Sequence, residues 1–206
     1  MEVQTAQPAH RLTPAEYLAA ERFAQHKSEY FDGKVLAMAG GSSSHARLAA
    51  NLIIALGRRL DDRPCSTYTS DMLVHPSGTE FFYPDVGLVC GEERLSDDKK
   101  DCLLNPCLLM EVLSPSTQKH DREKFFHYQQ ISSLRDFLFI YQDAAFIEHF
   151  TRTASGEWLY KLVGHPHDPA VGLQAVLILD SLGLEIPLRE IYRLIELSPT
   201  VPSPAK

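Results

Sequence analysis

The sequence predicts an α/β domain. Three observations carry that expectation: a long amphipathic pattern through Ala46–Leu60, strand-like apolar segments between Cys65 and Tyr141, and a helical stretch from about Asp121 to Ile131 placed before the last of those strands. From residue 44 to 141 the order is helix, three strands, helix, strand, with extra elements before and after. Alternating periods of this kind belong to a sheet layered with helices.

Each element has a local cause. Thr13-Pro14-Ala15-Glu16 opens a helix to about Phe23, with Thr13 as N-cap, Pro14 at the first helical position and Glu16 three residues after the cap. Glu29-Tyr30-Phe31 and Val35-Leu36-Ala37-Met38 flank Asp32-Gly33, a hairpin signal because that dipeptide accepts positive φ. Gly40 to Ser44 is a flexible turn rich in cap residues. Ala46, Ala49, Leu52, Ile53, Leu56 and Leu60 then recur at helical spacing. Strands are expected over Cys65–Val74, over Phe81–Val89 with an interruption at Pro84, and over Cys107–Leu113, which Ser114-Pro115-Ser116-Thr117 ends. The charged stretch Gly91–Asn105 is expected as a loop. Asp136–Tyr141 is the next strand, and Ala144–Arg152 with Glu157–Val163 forms a hairpin turning at Ser155-Gly156. An apolar run from Leu173 and a helix from Pro187 to about Leu197 complete the pattern. The division expected is a flexible N-terminus over 1–11, one domain over 12–197, and a loose tail over 198–206.

Composition narrows the classes. The chain has 206 residues and is 44% hydrophobic, enough to bury a core and to exclude wholesale disorder. No apolar run approaches the roughly 20 residues that span a bilayer, and Met1–Arg11 lacks a secretory apolar stretch. Cys65, Cys90, Cys102 and Cys107 form no Cys-x-x-Cys pair and are expected as reduced, mostly buried thiols of a soluble cytoplasmic protein. The net charge of -7 argues against a broad basic DNA-binding face. Local cations that would line a groove are Arg47, Arg58, Arg59 and the cluster Lys119, His120, Arg122 and Lys124.

Two carboxylates stand out. Glu111 sits inside a continuous apolar run, where an unpaired carboxylate would cost several kcal/mol or be protonated, so a metal, a cation or a hydrogen-bond network must compensate it. Asp85 follows Pro84 in similarly apolar surroundings. Acids on successive strands, about 4.8 Å apart, can converge and offer hard oxygen ligands suited to Mg²⁺ or Mn²⁺. Taken singly, Pro84-Asp85 fits an ordinary turn, Glu111 an ordinary salt bridge, and Lys124 a solvated surface lysine in the first turn of the following helix, with Asp121 as that helix's cap.

These residues carry a resemblance. Tyr83-Pro84-Asp85-Val86, then Met110-Glu111-Val112-Leu113-Ser114-Pro115-Ser116-Thr117, then Asp121-Arg122-Glu123-Lys124 resemble the Uma-two family of restriction endonucleases, within the PD-(D/E)XK superfamily. Glu29–Gly33 and Ser42–His45 also match, and the likeness covers roughly Leu12 to Leu197. It implies a restriction-endonuclease-like core and a metal-dependent endodeoxyribonuclease, with restriction or mobile-element defence as its setting. By the resemblance Asp85, Glu111 and the Val112 carbonyl would hold Mg²⁺ or Mn²⁺, and Lys124 would orient or deprotonate the attacking water. Glu29 and His45 are second-tier candidates, and Asp71 is expected as an exposed strand residue. Leu113 stands where the superfamily's usual pattern has lysine; in this family the lysine has moved to the next helix, at Lys124. DNA is the implied partner, no membrane is involved, and a homodimer is expected.

Two other functions compete. One is a catalytically inactive nucleic-acid-binding or interaction protein on the same fold, in which these groups are apart or tied up in salt bridges. The other is a hydrolase using paired carboxylates on a small molecule. For a glycosidase the sequence offers no aromatic platform, since Trp158 is its one tryptophan.

Overall fold

The first helix, α1 (Pro14–Glu21), begins at the expected cap. Thr13 Oγ1 accepts the Glu16 N–H while Glu16 Oε2 accepts the Thr13 N–H, so two orphan amides are satisfied reciprocally. Strands β1 (Ser28–Phe31) and β2 (Lys34–Ala37) pair across Asp32 and Gly33, at φ 48° and 76°, as the dipeptide predicts. The long helix is α2 (Ser43–Leu60), capped by Ser42. Its buried stripe is Leu48, Asn51, Leu52, Ala55, Leu56 and Leu60; Ala46, expected in the stripe, is exposed. The computed structural model describes residues 11–38, 40–76, 78–96, 99–114 and 118–197. The expected loose ends, apart from Arg11, and the strand-ending Pro115-Ser116-Thr117 lie outside those residues.

The following elements are β3 (Cys65–Thr69), β4 (Leu73–Val74), β5 (Val86–Cys90), β6 (Cys102–Leu103), β7 (Leu108–Leu113), α3 (Gln118–Tyr128) and β8 (Asp136–Tyr141). Then come β9 (Phe146–Arg152), β10 (Trp158–Gly164), α4 (Pro169–Gly172), β11 (Val176–Leu179), β12 (Leu184–Pro187) and α5 (Leu188–Ile191). The main sheet has the order β10-β9-β8-β7-β5-β3, with β7 and β8 parallel and its other neighbouring pairs antiparallel. The helix, three strands, helix, strand order is present as α2, β3, β5, β7, α3 and β8.

Several boundaries differ from expectation for physical reasons. Pro84 has no N–H to donate, so β5 starts only at Val86; Phe81 and Phe82 make isolated bridges to Tyr30 and Val74 instead. The strand expected to reach Val74 breaks at Ser70-Asp71, and β4 pairs separately with β6 inside the charged stretch. The expected hairpin, β9–β10, adds two strands to the main sheet beyond β8. The apolar run from Leu173 supplies the β11–β12 hairpin, and the last helix stops at Ile191.

The cysteine expectation is corrected. Cys65 and Cys90 form a disulfide, while Cys102 and Cys107 keep their thiols. The two partners stand directly opposite each other on β3 and β5, a register that no local motif announces.

Period-two alternation decides what each strand offers to each face. On one side Val86, Leu88, Leu108, Met110, Val112, Leu138 and Ile140 pack on α2 and the β11–α5 segment. On the other, Leu109, Leu113, Phe137 and Phe139 pack on Phe125 and Tyr128 of α3. Glu111, between Leu109 and Leu113, therefore points at α3. A third cluster, Tyr17, Tyr30, Leu73, Phe81, Tyr83 and Cys102, seats α1 and the first hairpin.

Candidate active site

Strands β5 and β7 pair Val86 with Met110, and continuing that register by one residue sets Asp85 opposite Glu111. Asp85 Oδ2 accepts the Val112 N–H at 2.7 Å, which anchors the residue just before β5 to the strand that carries Glu111. Glu111 is 2% exposed. Its Oε1 accepts from Tyr128 Oη at 3.1 Å and lies 3.0 Å from Lys124 Nζ.

Lys124 reaches the acids because α3 begins at Gln118, which puts the lysine in the second helical turn rather than the first. Asp121, Lys124 and Tyr128 then lie three and four residues apart on one face, aimed at the sheet. Asp121 is not a cap. It is buried inside the helix, with Oδ1 3.3 Å from Lys124 Nζ. Glu29 completes the cluster from β1: its Oε1 is 3.0 Å from Lys124 Nζ and accepts the Tyr83 N–H, and its Oε2 is 2.7 Å from His120 Nε2. Lys124 is thus buried against three carboxylates from three elements.

His45 enters from the first turn of α2. Its Nε2 is 3.2 Å from Asp85 Oδ2, and its ring also hydrogen-bonds the Val112 backbone carbonyl. The ring lies so close to Gly41 that a Cβ there would come within 2.9 Å of His45 Nδ1. All five side chains named from the sequence (Glu29, His45, Asp85, Glu111 and Lys124) line one cleft of about 440 Å³, with His120, Asp121 and Gln142 on its wall. A second groove of about 630 Å³ shares His45, Asp85, Gly40 and Gly41 with it and runs along α2 past Ala46 and Ala50.

The electrostatics follow from burial. Burial pushes the Glu111 carboxyl well above the usual carboxylate range; Lys124 opposes this, while Asp121, Asp85 and Glu29 add to it. Burial also opposes a charged Lys124, but Glu111, Glu29 and Asp121 carry its pKa well above the ordinary lysine value. Glu29 is penalised by burial and yet held below its usual value by Lys124, His120 and the Tyr83 N–H. The Asp85 hydrogen bond lifts the His45 imidazole, with burial opposing it and the Val112 carbonyl assisting.

Among the described residues, no three His, Cys, Asp or Glu side chains are grouped so as to hold a metal ion by themselves. The donor chemistry nevertheless fits an oxygen-loving cation that also takes backbone and water ligands. Four carboxylates (Glu29, Asp85, Glu111 and Asp121) line the cleft, three of them paired with its one lysine, and oxygen donors of this kind suit a hard cation.

Other sequence candidates fall elsewhere. Asp71 is exposed, as expected, but it lies in the turn between β3 and β4 rather than on a strand, and it pairs with Lys27. Arg59 is engaged by Glu190, Arg47 by the Leu194 carbonyl, and Arg122 by Glu148 and Tyr141. Sequence reasoning missed Asp121 as a partner of Lys124, although their i,i+3 spacing is a usable signal, and missed Tyr128, whose hydroxyl reads as core from sequence.

Comparison with known proteins bears on the fold and the family. Two Synechocystis proteins, both described as uncharacterized, are similar along most of the chain. One, sll1609, is 37% identical over 150 residues, covering 72% of this chain and 85% of its own length. The other, slr1290, is 33% identical over 190 residues, covering 90% and 94%. A crystal structure described as "a putative nuclease belonging to DUF820", from Anabaena variabilis, matches with a TM-score of 0.70 at 14% identity, over 88% of this chain and 97% of that one, a likeness of fold. The model of the family Uma2, described as "Putative restriction endonuclease", matches residues 14–188. With that match spanning α1 to α5, the chain belongs to the Uma2 family.

Proposed function

We propose that this protein is a metal-dependent endonuclease that hydrolyses phosphodiester bonds of DNA. One observation carries the reading: Asp85, Glu111 and Lys124, far apart in sequence, meet in one cleft although the lysine comes from a helix and not from the Glu111 strand. Family membership and the nuclease description of the structural neighbour support the same reaction class.

Asp85, Glu111 and the Val112 carbonyl would hold Mg²⁺ or Mn²⁺. The bound ion would polarise the phosphate and lower the pKa of a water for in-line attack. The chain's own groups do the rest. Val112 N–H fixes the Asp85 carboxylate in the orientation that presents it to the cleft. Tyr128 orients Glu111 from below. Lys124, kept cationic by its three carboxylates, would orient the attacking water and steady the negative charge that develops on phosphate. A homodimer would let two clefts address two strands; the outer strand β10, with Leu159, Tyr160 and Leu162 exposed, offers an apolar edge for it.

A second reading is an inactive nucleic-acid-binding protein on this fold. One specific observation favours it: an ammonium has three N–H donors, and Lys124 has three carboxylate partners. The test is nicking of supercoiled plasmid with Mg²⁺ or Mn²⁺ by the wild type, Glu111→Ala and Lys124→Ala. Metal-dependent nicking lost in both variants supports the nuclease. Folded wild type that binds DNA without metal and cuts none supports the second reading.

A further inference from the structure

We propose that His120 is the proton donor to the leaving 3′-oxygen in phosphodiester cleavage, an inference that rests on the nuclease reading above. His120 lines the cleft that holds Asp85, Glu111 and Lys124, and its side chain is 30% exposed where Lys124 is 4%. It is therefore open to a bound substrate in a way that the buried lysine is not.

The arrangement is that of an acid with its own orienting carboxylate. His120 Nε2 lies 2.7 Å from Glu29 Oε2. The other Glu29 oxygen is occupied by Lys124 and by the Tyr83 N–H, so the carboxylate cannot swing away. Phe31 meets the imidazole edge-on at 6.1 Å and Phe82 at 6.5 Å, which restricts the ring plane. With Nε2–H given to Glu29, Nδ1 is the nitrogen from which His120 would give up its proton. A carboxylate that orients the imidazole from behind is the usual way to fix which nitrogen works.

Elimination leads to the same residue. Lys124 is assigned to the attacking water, which in an in-line displacement enters opposite the leaving oxygen, and it is buried against the acids. His45 is held by Asp85 and the Val112 carbonyl, on the side assigned to the metal. The Tyr83 hydroxyl bonds Glu21. Among the described residues of the cleft, that leaves the partly exposed His120 imidazole, held by Glu29 through one ring nitrogen, as the group placed to give a proton to the substrate.

The step balances without an added reagent. The oxygen of the attacking water forms a bond to phosphorus, and its proton goes to solvent. The P–O3′ bond breaks, its electron pair goes to O3′, and O3′ takes the His120 Nδ1 proton. The products are a 5′-phosphate and a 3′-hydroxyl, and solvent reprotonates His120.

The test uses a substrate that needs no acid. The linkage that wild type cuts is mapped, and a second DNA is made with sulfur in place of the bridging 3′-oxygen, since a thiolate leaves without protonation. Wild type, His120→Ala and His120→Gln are compared on both with Mn²⁺, after melting curves confirm folding. Gln keeps an N–H for Glu29 but has no proton to give. Both variants should lose about 100-fold on oxygen and recover to within about tenfold of wild type on sulfur. Equal losses on both linkages, no loss on oxygen, or activity retained by His120→Gln alone would each reduce His120 to a structural or positioning residue and overturn the proposal while leaving the nuclease reading intact. Wild type that cuts neither DNA removes the nuclease reading, and the proposal with it.

Discussion

The Val112 N–H donates to Asp85 Oδ2 at 2.7 Å, so one hydrogen bond ties the residue preceding β5 to the residue following Glu111. It is a bond to a carboxylate, and the acceptor is mostly shielded from water. Losing such an acceptor leaves the Val112 amide unsatisfied. Asp85→Ala should therefore cost about 1.5–3 kcal/mol of stability as well as any activity, and Asp85→Asn, which keeps an acceptor oxygen, clearly less. Urea unfolding of the three proteins checks this. Equal midpoints for Ala and wild type would mean the bond does not anchor the strand end.

Removing either side of the buried cluster should have unequal effects. Lys124→Ala leaves three carboxylates facing one another without their cation and should cost about 3–5 kcal/mol. Glu111→Gln preserves shape and removes a charge that burial already disfavours, so about 1 kcal/mol is expected. Chemical denaturation of both variants, with circular dichroism as readout, decides the order. A reversed order would mean that Glu111, not Lys124, is the hub.

The contrast between what sequence predicted here and what it did not is a contrast between local and long-range information. The Asp32-Gly33 turn and the Thr13 cap are set by φ preferences and hydrogen bonds within four residues, and both formed as expected. Strand β7 was legible because burial on both faces leaves a continuous apolar run in which Glu111 is an anomaly. The gathering of Asp85, Glu111 and Lys124 was implied by family resemblance, since nothing local tells a lysine in a polar helix to turn inward. Asp121 looked like a helix cap because the helix start was placed three residues late. The joining of β9–β10 to the main sheet and the opposition of Cys65 to Cys90 are matters of strand register, to which periodicity is blind.

The disulfide makes a thermodynamic prediction. Cys65 and Cys90 are 25 residues apart in sequence, and closing a loop of that size should stabilise the fold by about 3.5 kcal/mol on chain entropy. Reductant, or Cys65→Ser, should lower the melting temperature, while Cys102→Ser or Cys107→Ser should leave the reductant effect in place. Insensitivity of the wild-type melt to reductant would show that β3 is held by its ladder alone.

Acid should act on the far side of α3 through Glu148. Its carboxylate accepts from both ends of the Arg122 guanidinium, at 3.1 and 2.6 Å, and from Tyr141 Oη at 2.6 Å. Burial raises the Glu148 pKa, but those hydrogen bonds outweigh burial and hold it below the ordinary glutamate value. The sign follows from linkage: a group whose folded pKa is depressed contributes stability that is fully present above its unfolded pKa, about 4.3, and is lost as pH falls through the folded value. The contribution is modest, because the Arg122 side chain is 37% exposed and solvent screens the pair. Glu148→Gln should thus be less stable than wild type at neutral pH, with the gap closing in acid. Urea midpoints of the two proteins at stepped pH values from neutral to about 3 measure that gap. A gap that stays constant into acid would assign the loss to packing around Phe139 and not to the ion pair, since Arg122 also lies over that ring at 5.0 Å.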